Sequence, residues 1–146
     1  MKIGLCSDHR GYYLKNILVD KLEKDGYEVI DYGTDNEESV DFPDYAFKLG
    51  DAIVSGEVEK GIAVCGTGIG MSIALNKTKG VICAKISNTS EAMFCRSHNN
   101  ANAIAMSEDV SEDLAYEMAV KFITTPFSNI DKYIRRNKKI ETRENA

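Results

Sequence analysis

Residues 61–77 read GIAVCGTGIGMSIALNK: an apolar run ending on Cys65, a loop with Gly66, Gly68 and Gly70, and then the helix-like IALNK. A short apolar run that breaks at glycine and resumes with helical character is a strand feeding directly into a helix. Above such a strand the glycines let backbone N–H groups face the crevice, and the following helix adds its positive end, so the loop favours an anion. The same glycines equally suit a tight strand-to-helix turn with close packing, and glycines alone do not separate these uses. The spacing is not the dinucleotide fingerprint, because the third glycine comes one position early and no acidic residue closes a later strand at the right distance. No Gly-Lys-Ser/Thr follows, which removes the nucleoside-triphosphate loop as well.

Outward from this unit, four more short apolar runs read as strands: 2–6, 27–32, 81–86 and 102–106, with 61–66 as the central one. Between them lie amphipathic stretches. Residues 14–26 place Leu14, Ile17, Leu18 and Leu22 on one face and end on Gly26, and residues 44–56 repeat this with Ala46, Leu49, Ile53 and Gly56. Residues 88–99 open on Asn88 and Thr89, suited to an N-cap, and residues 111–124 form a covering helix, for which the apolar period rather than Ser111 is the evidence. Thr125-Pro126 stops that helix, and 129–141 reads as a separate basic helix with Ile130, Tyr133 and Ile134 able to dock on a neighbour. Strand and helix alternate throughout, so the expected fold is α/β, a five-stranded parallel sheet with helices on both faces in a three-layer, Rossmann-like arrangement.

The 146 residues, 43% of them hydrophobic, suit one domain spanning 1–146. A net charge of -5 argues against a nucleic-acid partner, whose footprint is a basic face. Met1 leads straight into an apolar strand with no secretion-signal pattern, and no apolar run nears the roughly 18 residues that span a bilayer, so no membrane partner and a cytoplasmic location are expected. Cys6, Cys65, Cys83 and Cys95 form no CxxC pair, which suits reduced thiols, each readable as a small buried hydrophobe.

In an open parallel sheet, ligands sit beyond the carboxyl ends of the strands. Those ends carry Ser7-Asp8-His9-Arg10-Gly11, Gly33-Thr34 with Ser39 to Pro43, the CGTGIGMS loop, and Ser87-Asn88. A thiol beside a helix N-terminus ionises readily and serves as base or nucleophile, and the glycine loop beside it suits an oxyanion. His9 and His98 are the only histidines, both among polar neighbours in DHRG and RSHNN; a Cys/His hydrolase pairing and a plain hydrogen-bonding role both remain open. No HxH, HExxH or Cys/His cluster occurs, so no metal is expected.

Taken in order, SDHRGYYLK, YEVIDYGT with SVDFPDYA, GIAVCGTGIGMSIALNK and RSHNNANAIAM resemble the ribose-5-phosphate isomerase B family, which includes galactose-6-phosphate and allose-6-phosphate isomerases; the match spans residues 1 to about 107. The resemblance implies a cofactor-independent aldose–ketose isomerase of a sugar phosphate, foremost ribose 5-phosphate, with a tetrose or six-carbon sugar phosphate or a non-catalytic partner subunit as alternatives. It implies Cys65 as the base that moves a proton between C1 and C2 through a cis-enediolate. The loop Gly66, Thr67, Gly68, Ile69 and Gly70 with Ser72 would hold the enediolate oxygen, and Asp8 and His98 would serve ring opening. His9 would meet the phosphate and Asn99 the sugar hydroxyls. The family assembles such sites at a dimer interface, which implies a homodimer or dimer of dimers in which His98 and Asn99 complete the neighbour's site.

The chain departs from the family pattern in places. It has Asn100 where an aspartate is usual, Asp109 where a phosphate-binding arginine is expected, Phe42 where tyrosine is common, and no GRHxxR segment, whose arginines fall at Lys132 and Arg136. Lys132 and Arg136 share one helical face, and Arg10 stands where the family often has a small residue, so these three are the candidates for replacing the missing charge.

Overall fold

The computed structural model describes residues Met1–Ala146. The elements run β1 (Lys2–Ser7), α1 (Tyr12–Lys24), β2 (Glu28–Asp31), α2 (Phe42–Ser55), β3 (Lys60–Cys65), α3 (Ile69–Leu75), β4 (Cys83–Lys85), α4 (Thr89–Ser97), β5 (Ala103–Ser107), α5 (Glu112–Thr124) and α6 (Asp131–Glu144). All strand pairs are parallel, in the order β2-β1-β3-β5-β4, giving the expected α/β sheet with helices on both faces. Its two apolar layers are separate. Ile3, Leu5, Ile62 and Ile104 pack under α1, α4 and α5, through Leu18, Cys95 and Phe122 among others. Cys6, Ala63, Cys65 and Ala105 face α2 and α3, through Leu49, Ile53, Met71 and Leu75.

The order of the strands positions the site. From β1 the chain turns outward to β2 by α1, and from β3 it turns the opposite way by α3, so the loops after β1 and β3 part above the centre of the sheet. That parting is the crevice where open parallel sheets bind ligands. Register brings three strand ends together there, with Ser7 beside Val64 and Cys65 beside Ser107. No helix is long and apolar enough to cross a membrane.

Element ends differ from the sequence expectation by a few residues, for identifiable reasons. Helix α1 starts at Tyr12, after a turn in which Asp8 Oδ1 accepts the N–H groups of Arg10 and Gly11, both at 3.0 Å, a feature outside the apolar period. Helix α2 starts at Phe42 with Pro43 in its first turn, where proline's missing N–H is harmless. Strand β4 pairs only over Cys83–Lys85, while the N–H groups of Ile82 and Cys83 go to the side chains of Asn102 and Asn76, each at 2.8 Å. Ser111 does cap α5, accepting the Leu114 N–H at 3.2 Å. Helix α6 runs to Glu144 and has no buried residue.

Candidate active site

Cys65 ends β3 at 4% exposure, and its Sγ accepts the Gly68 N–H at 3.1 Å. The contact depends on Gly68, whose φ is +81° and whose added Cβ would lie 2.9 Å from the Met106 carbonyl carbon. Of the neighbouring N–H groups, Ile69's goes to Thr67 Oγ1 at 3.2 Å, and those of Gly66, Thr67 and Gly70 meet no acceptor within the chain. Three unclaimed donors therefore lie in the loop beside a thiol, the kind of groups that stabilise an oxyanion next to a base. Phe42 walls this loop, its ring lying against Gly70. The Ser72 hydroxyl faces Cys83 instead; burial pushes that thiol up to about 12, and Ser72 acts in the opposite direction.

Ser107, absent from the sequence expectation, holds the loop from behind. Its Oγ donates to Gly66 O at 2.8 Å and accepts the Asp109 N–H at 3.1 Å, while Glu108 N donates to Cys65 O at 2.8 Å. Its only trace in the sequence is the polar residue that ends the apolar run of β5.

The β1 loop supplies the other wall. Asp8 is 7% exposed, with Oδ1 committed to the turn that leads into α1. Gly11 permits this loop to lie on β3: a Cβ there would stand 2.4 Å from Val64 O, one residue before the thiol. His9 Nδ1 accepts the Val40 N–H at 3.1 Å, which leaves Nε2 as the ring's free donor. Arg10 lies across Gly66 and is paired with Glu108 by two hydrogen bonds, Nε to Oε2 at 3.0 Å and Nη2 to Oε1 at 2.9 Å. That pairing holds the guanidinium above its ordinary pKa.

His98, Asn99, Lys132 and Arg136 form a second cluster elsewhere. Helix α4 leaves the carboxyl end of β4 and returns the chain to the amino end of β5, so His98, its C-cap residue, sits at the foot of the sheet while Cys65 sits at its top. The His98 ring is stacked between Phe94, at 4.9 Å, and Tyr133 of α6, at 4.4 Å. Asn137 Nδ2 donates to His98 O at 2.7 Å, and Asn99 Nδ2 donates to Asn137 Oδ1 at 3.2 Å. Lys132 Nζ and Arg136 Cζ lie 5.1 and 5.9 Å from the centre of the Tyr133 ring. Tyr133 and Asn137 organise this cluster, although the sequence marked Tyr133 only as a docking residue. Within one chain the two clusters do not meet.

A family model described as Ribose/Galactose Isomerase matches residues 3–140, both clusters included. The chain belongs to the ribose/galactose isomerase family. It is thereby an isomerase of the aldose–ketose type. Among relatives in this family is ribose-5-phosphate isomerase B of Escherichia coli, 42% identical over 75% of this chain and 73% of its own length. Ribose-5-phosphate isomerase B of Clostridium thermocellum superposes with a TM-score of 0.96 at 44% identity, covering 99% of this chain and 98% of that one. The Mycoplasma genitalium enzyme with bound ribulose-5-phosphate superposes with a TM-score of 0.92 at 31% identity, covering 99% and 96%. Family membership removes the thiol hydrolase left open by the sequence.

Proposed function

We propose that the protein interconverts ribose 5-phosphate and ribulose 5-phosphate without a cofactor, with Cys65 carrying the proton between C1 and C2. The observation that carries this reading is the Cys65 sulfur with the Gly68 N–H on it and unclaimed N–H groups of Gly66, Thr67 and Gly70 beside it. Starting from the aldose, the thiolate takes the C2 proton and the C1 carbonyl oxygen becomes the enediolate oxygen held by those donors; the hydroxyl proton on O2 passes to O1, and the thiol returns its proton to C1, which leaves the ketone at C2. Thr67 and Ser72 flank the loop. A water-poor pocket strengthens each of these interactions, and Cys65 is almost wholly buried.

Ring opening and phosphate binding fall to groups from two copies of the chain. Asp8 addresses the ring oxygen, with His98 of a second copy as acid–base partner and its Asn99 on the sugar hydroxyls. His9 Nε2 and Arg10 meet the phosphate together with Lys132 and Arg136 of that second copy. The separation of the two clusters within one chain, and the exposed Ile130 and Ile134 of α6, support a homodimer with shared sites. The names of the Escherichia coli and Clostridium thermocellum relatives, and the ribulose-5-phosphate in the Mycoplasma genitalium structure, support the five-carbon substrate.

A second reading, a six-carbon sugar phosphate, draws on the phosphate end, where Glu108 already claims Arg10 and Asp109 stands nearby. Proton NMR in deuterated water distinguishes them. The purified protein is offered ribose 5-phosphate, allose 6-phosphate and galactose 6-phosphate in turn while the C1 and C2 signals are followed. Conversion and exchange with ribose 5-phosphate are expected; conversion of a six-carbon sugar alone establishes the second reading, and inertness toward all three contradicts both.

A further inference from the structure

Arg96 has no part in the chemistry proposed above, yet it is only 8% exposed. Its Nε donates to Thr125 O at 3.0 Å, and its Nη1 donates to Asn100 Oδ1 at 2.9 Å and to Ala101 O at 2.7 Å. All three partners are neutral. What offsets the buried charge is the end of α5, where unpaired carbonyls and the negative end of the helix dipole gather. Lys60 donates there too, Nζ to Ile123 O at 3.0 Å. Burial holds Arg96 below its ordinary pKa, and Lys60 is lowered by burial first and by Arg96 second. A cation buried among neutral acceptors is a costly way to add stability, so the value of the arrangement lies in its geometry.

Those three bonds join the pieces that carry the second cluster. Asn100 and Ala101 form the turn directly after His98 and Asn99, with Asn100 at φ +52°. Thr125 leads through Ser128, whose N–H donates to Ser97 O at 3.1 Å, to the start of α6. Helix α6 then lays Tyr133 on the His98 ring and Asn137 on its carbonyl. A planar guanidinium with several fixed donors can hold three points at once, whereas a lysine ammonium on a similar stem is a single point of charge.

We propose that Arg96 is the positioning residue of the His98–Asn99 pair: its guanidinium sets the turn that carries both side chains and the root of the helix that stacks on His98, without touching substrate. The proposal rests on the reading that His98 opens the sugar ring.

Ring opening separates this role from a general loss of structure. Ribose 5-phosphate is a furanose and must open before Cys65 can act. Ribulose 5-phosphate, its O5 esterified, is already open, so exchange of its C1 proton with deuterated solvent needs Cys65 and the glycine loop but no ring chemistry. In Arg96→Lys, turnover of ribose 5-phosphate falls on the order of 10²-fold, the cost of a misplacement of roughly 1 Å, while C1 exchange in saturating ribulose 5-phosphate, where weaker binding through Asn99 and α6 is overcome, stays within about threefold of the unsubstituted protein. Asn100→Gly keeps the left-handed backbone and deletes one acceptor, so it moves the ratio of the two rates in the same direction by a smaller factor. It decides the matter where Arg96→Lys does not fold. Asn100→Asp, which restores an acceptor, leaves the ratio unchanged, and Arg96→Lys added to His98→Asn changes it no further. Equal losses in both assays, or undiminished turnover of ribose 5-phosphate in Arg96→Lys, overturn the proposal. Absence of both reactions in the unsubstituted protein overturns the ribose 5-phosphate reading, and this proposal with it.

Discussion

Cys65 is set apart from the other three thiols by its neighbours rather than by its exposure. Cys6 is pushed well above the ordinary thiol range by burial, Cys83 is pushed up to about 12 and Cys95 to about 11, burial being the first cause in each case. Cys65, more buried than Cys83 and Cys95, has the Gly68 N–H on its sulfur and adjoins the glycine loop. Iodoacetamide at neutral pH is therefore expected to place one adduct, on Cys65, with activity lost in step; peptide mass spectrometry checks this, and prior modification of Cys83 or Cys95 contradicts it. Cys65→Ala removes the base and leaves the binding groups in place, so kcat falls by about 10²–10⁴-fold with KM little changed. Steady-state kinetics on ribose 5-phosphate read both constants. Glu91 shows the residue scale at work in the fold: its Oε1 accepts the Ser87 N–H and hydroxyl at 2.7 and 2.8 Å, and these bonds hold its carboxyl below the ordinary 4.5. A lowered carboxyl pKa stabilises the fold above the unfolded value and ceases to do so as pH falls through the folded one. Denaturant unfolding should find Glu91→Gln slightly less stable than the unsubstituted protein at neutral pH, the gap closing below about pH 4.

Elements were legible in the sequence where their periodicity and their stop signals agreed. Gly26 and Gly56, with φ of +94° and +82°, end α1 and α2 as read, and Asn88 caps α4 by accepting the Glu91 N–H at 2.8 Å. The starts of α1 and α2 were not legible, because one follows a turn held by the Asp8 carboxylate and the other begins in an aromatic-proline pair outside the apolar period. The run of strand, glycine loop and helix was legible from its spacing; Ser107 behind the loop and Arg96 beneath His98 were not, since both act on backbone carbonyls that only the folded register brings near. That a helix between parallel strands returns its last residues to the foot of the sheet was also implicit in the element order, and it is what removes His98 from Cys65. Helix α6 carries the test at this scale. Replacing Lys132 and Arg136 together by alanine should raise KM for the phosphorylated sugar by roughly tenfold or more while kcat holds, as expected when binding common to ground and transition states is removed. An unchanged KM assigns the phosphate to other groups.

At the scale of the whole molecule, the account requires two copies. The glycine loop, Cys65, Asp8, His9 and Arg10 lie beyond the carboxyl ends of the strands, and His98, Asn99 and the basic face of α6 lie toward the other end, each cluster ordered by its own hydrogen bonds. Neither cluster alone has both a base for C1 and C2 and an acid–base partner for the ring. The proposed two-fold dimer would place the same pair of surfaces together twice, so that each site would take its thiol from one copy and its imidazole from the other. Complementation tests this most directly. Cys65→Ala and His98→Asn are purified separately, confirmed inactive on ribose 5-phosphate, unfolded and refolded together in equal amounts, and assayed. Random pairing makes half of the dimers mixed, and each mixed dimer holds one intact site and one doubly deficient site, so activity should return to about a quarter of that of the unsubstituted protein. No recovery, with mixed dimers shown to be present, would contradict the shared site.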